Sequence, residues 1–187
     1  MILVISTSSP LVSVAVVNAA GAVQGEAGAL ANGRASESVL GLAEQVLTTL
    51  DLGWDALEGV VADVGPGGFT GTRVGVTVAK TLAWAQGWSV GAIGAHDLIA
   101  REAVVAVPVR RDRWRVRLVD GTEADAEAWP EGARGYGHVG SPEYPHAHRI
   151  SDVWERVRWV APEALVPAYG VAPSISLPKR PYGGGVA

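Results

Sequence analysis

The chain has 187 residues, of which 48% are apolar. That is enough to bury a core in one domain or two small lobes, and it excludes a disordered polypeptide. A formal charge of −4 and the absence of cysteine exclude a general attraction for nucleic acid or anionic bilayers, disulfides, and thiolate metal sites.

The N-terminal "MILVISTSSPLVSVAVV" has no basic leader and is broken by Ser, Thr and Pro, so it reads as strands and not as a signal peptide. No stretch reaches the roughly 18 apolar residues of a membrane-spanning helix. A cytoplasmic location without membrane association is therefore expected. Residues 2–6 and 11–18 form two short β-branched runs with turn-like "TSSP" and "NAAG" after them. A third strand over 21–27 would complete an antiparallel meander.

From Ser36 to Leu50 the pattern becomes helical: Val39, Leu42, Ala43, Val46, Leu47 and Leu50 share one face. Residues 59–64 read as a buried strand, 72–86 as a helix and 89–93 as a strand. Strand, helix and strand at those lengths form a parallel crossover unit. "GAHDLIARE" is expected to open a short helix. "AVVAVPV" and "RWRVRLV" should be strands, the second with Trp114, Val116 and Leu118 on one face and Arg113, Arg115 and Arg117 on a solvated one. Residues 120–150 carry no firm signal, and "ISDVWERVRWV" reads as a helix. The tail from 176 has the composition of a disordered end. The division expected is 1–100 for a first lobe, 101–175 for a reduced second lobe and 176–187 for the tail.

The segment "DVGPGGFTGTRVGVTVAKTLA", from Asp63 to Ala83, poses the central question. A strand that turns abruptly into a helix leaves amide N–H groups free to hold an anion. Gly65, Gly67, Gly68 and Gly71 would let the backbone approach a phosphate. Yet no Gly-Lys-Ser/Thr ends the loop, and Thr70 stands where a dinucleotide fingerprint needs glycine. Asp63 at the strand end suits either a ligand or the turn amides. The helix offers another reading. Gly75, Ala79 and Ala83 recur every four residues as a smooth ridge, with Val74, Val78 and Leu82 beside it. Val76, Trp84 and Ala85 widen the apolar stripe, which favours cover by a second polypeptide. Bulk at Gly75 or Ala79 is then expected to block association while the fold survives.

Catalytic patterns are sparse. His96, His138, His146 and His148 have no carboxylate at metal-site spacing and no H-E-x-x-H, so they read as exposed loop residues and no metal site is expected. No G-x-S-x-G frames a serine. The arginines of 110–117 lack interleaved exposed aromatics, so an RNA-binding face is the weaker reading.

"GPGGFTGTRVGVTVAKTLA" (65–83), with "ILVISTS" (2–8) before it and "GAIGAHDLIA" (91–100) after it, resembles the bacterial TsaB family, also called YeaZ. The similarity covers residues 1–108, with a faint echo at "VPAYGVAPSI" (166–175). The resemblance implies an α/β, actin/Hsp70-like (ribonuclease H-like) fold of two lobes, the second shortened. It also implies a non-catalytic partner of a larger paralogue, TsaD, acting with the ATPase TsaE. That assembly transfers a threonylcarbamoyl group to adenosine 37 of tRNAs reading ANN codons. No cofactor is then expected in this chain; ATP and a metal belong to the partner subunits, and tRNA is met only through the complex. Family members dimerise, with themselves when alone or with TsaD. The interface so implied comprises Val39, Leu42, Val46, Phe69, Thr70, Arg73, Val74, Gly75, Val78, Ala79, Leu82 and Ala83.

The chain departs from the family pattern at several positions. Ser6 stands for the aspartate of the first loop, Ala35 for a histidine, Val109 for an aspartate (Arg111 matches) and Val171 for an arginine. The alternative is an actin-fold ATPase or sugar kinase, with Ser6, Thr7, Gly65, Gly67, Gly68 and Gly71 around phosphate. Ser6 weighs against it, because a hydroxyl cannot hold Mg²⁺ as a carboxylate does. A metalloprotease reading fails for want of a histidine pair.

Overall fold

The computed structural model describes residues 1–31 and 35–168. The chain opens with β1 (Ile2–Ser6), β2 (Leu11–Val17) and β3 (Val23–Leu30), followed by α1 (Ala35–Thr49). Then come β4 (Gly59–Asp63), α2 (Phe69–Gln86) and β5 (Ser89–Ile93). The first three strands form the expected meander, antiparallel throughout. β4 lies parallel to β1 and to β5, as the crossover demanded. The helix α2 begins three residues earlier than its hydrophobic pattern suggests, with Gly68 at the N-cap. It ends at Gly87, whose φ of 68° is the left-handed cap that glycine adopts without penalty.

The first sheet has the order β10-β5-β4-β1-β2-β3. β10 (Arg158–Val160) returns from far along the chain to pair antiparallel with β5. Alternation along the strands divides the core between the two faces of this sheet. Leu3, Ile5, Val12, Val14, Val60 and Ala62 pack under α1 and α2 together with Val39, Ala43, Val46, Ala79 and Ala83. On the opposite face, Ile2, Val4, Ala15, Val17 and Val61 meet Leu98, Ala147, Ile150, Val153 and Val157.

The second sheet is smaller. It contains β6 (Val105–Arg110), β7 (Arg113–Arg117), β8 (Glu123–Ala126) and β9 (Arg134–Gly135), in the order β8-β7-β6-β9. Because β10 lies in the first sheet, the described part of 101–175 is not a self-contained lobe. The reduced lobe sits between β5 and β10. The segment expected to be a helix at 150–160 is instead two 3₁₀ turns, Ala147–Asp152 and Trp154–Arg156, followed by β10. Its buried residues, Ala147, Ile150, Val153 and Val157, fit a 3.6-residue period loosely. Short turns aim all of them at the sheet. "GAHDLIARE" is likewise a turn over 95–99 and not a helix. His96, Leu98, Ile99 and Ala100 are all buried there, which a helix with one apolar face would not allow. Val171 and the tail 176–187 lie outside the described residues, and so does most of "VPAYGVAPSI".

Candidate functional site

The glycine loop answers the question its sequence raised. A Cβ on Gly67 or Gly71 would intrude on main-chain oxygen: Ser8 O for Gly67 and Thr7 O for Gly71. A Cβ on Gly75 would meet the Thr7 hydroxyl. The turn after β1 therefore lies against the start of α2, and only hydrogen fits between the two backbones. Hydrogen bonds close the seam. Gly68 N donates to Ser8 O at 2.6 Å, and Thr7 Oγ1 donates to Gly71 O at 2.7 Å. The first amide of the supposed cradle is thus already spent on the protein's own backbone.

Asp63, at the end of β4, is fully buried beneath this seam. It accepts from Ser6 Oγ at 2.8 Å, from Ser8 Oγ at 2.5 Å and from Gly65 N at 2.8 Å. Burial pushes its carboxyl above the usual carboxylate range, and the three donors oppose that shift. Asp63 is the keystone of both turns, satisfying hydroxyls and an amide at once. Tyr136 reaches in from the second lobe and donates its hydroxyl to Ser8 O at 3.2 Å. Burial raises this phenol's pKa, and the nearby Asp63 adds to the rise. Between the lobes, Thr7, Ser8, Gly71, Val74, Pro108 and Tyr136 line a cleft of about 370 Å³. Of the candidate phosphate contacts, Ser6, Thr7 and Gly65 are buried, Gly67 and Gly71 are half-buried, and Gly68 is exposed.

The implied interface residues divide into two groups. Val39, Val46, Gly75, Ala79 and Ala83 are buried in the chain's own core. The small-residue ridge therefore faces the sheet and the Thr7 turn, not a partner, and the expectation that bulk at Gly75 would spare the fold is corrected. A four-residue repeat of small side chains marks close approach but carries no sign of whose backbone is approached. The other group lies on the opposite side of α2. Phe69, Thr70 and Arg73 are exposed, with Val74, Val78 and Leu82 half-buried beside them; Leu42 is half-buried on α1. Phe69, Thr70, Arg73, Val74, Thr77 and Val78 line a shallow groove of about 360 Å³, and the Arg73 guanidinium sits 4.1 Å over the Phe69 ring. Further along the same helix Trp84 is 83% exposed.

Several residues behave differently from their sequence pattern. Arg117 is not on a solvated face: it is buried, paired with Asp97 and bonded to the Ala100 carbonyl. Its partner lies in the turn after β5, which strand alternation cannot reveal. His96 is 2% exposed. Its Nε2 lies 3.0 Å from Arg115 O, and burial lowers its pKa. His146 and His148 are half-buried and lie close to Glu26 of β3.

A six-stranded sheet in βββαβα order, carrying both helices on one face and joined to a smaller second sheet, defines an actin-like, ribonuclease H-like α/β protein with a reduced second lobe. The comparisons agree. A crystal structure from Pseudomonas aeruginosa, described as an uncharacterized protein with similarity to peptidase YEAZ, superposes with a TM-score of 0.73 at 21% identity, covering 90% of this chain and 98% of that chain. YeaZ from the same organism gives 0.71 at 21% identity and the same coverage. At that identity both show the fold. The family model of TsaD, tRNA N6-adenosine threonylcarbamoyltransferase, matches residues 24–110. The tRNA threonylcarbamoyladenosine biosynthesis protein TsaB of Bacillus subtilis (strain 168) is 38% identical over 55 residues. That match takes in 29% of this chain and 24% of the relative, so it spans about a quarter of the relative's length. The chain thus has the fold of the YeaZ structures and, over a short stretch, a sequence similar to TsaB.

Proposed function

We propose that this chain acts in tRNA threonylcarbamoyladenosine biosynthesis as a non-catalytic partner of TsaD, alongside TsaE, and pairs with itself when alone. The names of its relatives support the pathway. The observation that carries the partner role is the outer face of α2. Its inner face is already used against the sheet, and the outer face still presents Phe69, the Val74–Val78 groove and Trp84. A helix apolar on two sides gains by burying the second against another polypeptide. The ATP and metal of the reaction belong to the partner subunits in this reading, and tRNA is met through the complex. Asp63 and Ser6 support a structural role at the Gly65–Gly71 loop, since each is bonded to the other inside the protein.

Val78→Arg places a charge in the groove without touching the buried ridge. Sedimentation is expected to show an associated parent and a monomeric variant with an unchanged melting temperature. A variant that stays associated would put the seam elsewhere. Co-expression with TsaD and TsaE from the same organism, scored by tRNA modification with and without this chain, tests the pathway itself. Hydrolysis of ATP with Mg²⁺ by the isolated chain would favour the kinase-like alternative.

A further inference from the structure

Glu26, His146 and His148 are remote in sequence and adjacent in the fold. Glu26 lies on β3, the edge strand of the first sheet. His146 and His148 flank Ala147 at the head of the 3₁₀ turn that crosses the back of that sheet. One donor atom from each of the three lies within 4.8 Å of the others. In sequence no carboxylate stands at metal-site spacing from these histidines; in the fold it comes from a strand near the other end of the chain.

We propose that Glu26, His146 and His148 bind a divalent transition-metal ion, with Zn²⁺ the best match. Two imidazoles and one carboxylate form a donor set that suits zinc and is poor for Mg²⁺ or Ca²⁺, which favour oxygen alone. The spacing is close to what zinc requires. Bonds of about 2.0–2.2 Å in a tetrahedral arrangement set neighbouring donors roughly 3.4 Å apart. Glu26 Oε2 and His148 Nδ1 already lie 3.1 Å apart. That nitrogen is shielded from solvent and makes no hydrogen bond to any protein group. A ring nitrogen facing a carboxylate oxygen is satisfied by a cation between them, a proton or a metal ion.

The rest of the cluster is built to converge. Ala147 N donates to Ser13 Oγ at 2.9 Å and His146 N donates to Leu98 O at 3.1 Å, so both histidines stand on an anchored backbone. Ala147 itself is fully buried. The His146 ring lies over Gly28, where a Cβ would come 3.2 Å from its Nε2. His146 Nδ1 takes a long 3.3 Å bond from His148 N, a weak contact to exchange for a metal bond. Arg149, the neighbouring positive group, leans toward Asp152 at 3.5 Å. Glu26 and His148 are 47% and 39% exposed, so the ion has an entry path and a fourth position open to water. Bound there, it would tie the 3₁₀ turn to the edge strand.

The test is a zinc titration of the tag-free full chain against a chromophoric zinc indicator at neutral pH. One equivalent is expected, with a micromolar or tighter Kd. Glu26→Gln should weaken binding about tenfold and His148→Ala about a hundredfold, while His138→Ala leaves it unchanged. Zinc should raise the melting temperature of the parent and not that of His148→Ala, since only the folded chain assembles the donors. Glu26 is on the surface, so Glu26→Gln keeps the test meaningful if either histidine variant folds poorly. No stoichiometric zinc, or equal affinity in Glu26→Gln and the parent, overturns the site.

Discussion

Two glycine-to-alanine substitutions, one in each helix, test the close-approach account of the glycine loop. Gly41 lies inside α1, and a Cβ there would have nothing within 4 Å. Alanine at an open helical position gains about 0.5–1 kcal/mol, because the unfolded chain loses freedom and the helix propensity improves. Gly71 lies in the first turn of α2. A Cβ there would overlap Thr7 O and stand 3.2 Å from the Thr7 carbonyl carbon. Both obstacles are main chain, held by the Thr7-to-Gly71 and Gly68-to-Ser8 bonds, so no flexible side chain can give way. Overpacking of this kind costs about 1–3 kcal/mol, and rigid surroundings put Gly71 at the upper end. After subtracting a propensity gain of up to about 1 kcal/mol, Gly71→Ala should lose about 2 kcal/mol. For a chain of this size about 1 kcal/mol shifts Tm by roughly 2–4 °C. Circular-dichroism melts should therefore place Gly71→Ala roughly 4–8 °C below the parent and Gly41→Ala a few degrees above it. A Gly71→Ala protein as stable as the parent would refute the claim that the loop exists to bring two backbones together.

Arg117→Leu should destabilise the fold by about 3 kcal/mol in urea titrations, because it removes the buried guanidinium from Asp97 and leaves the Ala100 carbonyl without its donor. Arg117→Lys should recover part of that loss. His96 makes stability depend on pH: burial lowers its folded pKa below the ordinary 6.5, so the unfolded chain takes up the proton first. Its contribution is present above pH 6.5 and is lost as pH falls through the folded value. His96→Gln should flatten the Tm–pH curve in that window; an unchanged slope would assign the titration to another group.

The architecture of the first lobe is legible in the sequence because its signals are local. The β-branched runs of β1 and β2, the apolar face from Val39 to Leu50 and the glycine turn into α2 each fit within one element. What the sequence conceals is direction and distance. Gly75, Ala79 and Ala83 announce a close approach, yet what Gly75 approaches, the Thr7 side chain, is set by how α2 crosses β1. Arg117 looks solvated until Asp97 is brought beneath it. His146 and His148 look like idle loop residues until Glu26 arrives from β3. The 150–160 segment reads as a helix because its apolar spacing satisfies a helix and a string of short turns about equally well, and only the flat sheet beneath decides between them.

The return of β10 to the margin of the first sheet has a topological consequence. The smaller lobe is an insertion, spliced into the larger one between two strands that hydrogen-bond to each other. Its entry and exit are laced together, so it cannot peel away on a single linker. Any rocking of the lobes must pivot on that doubled tether, and the same lacing covers β5, whose open amides would otherwise recruit a neighbouring chain.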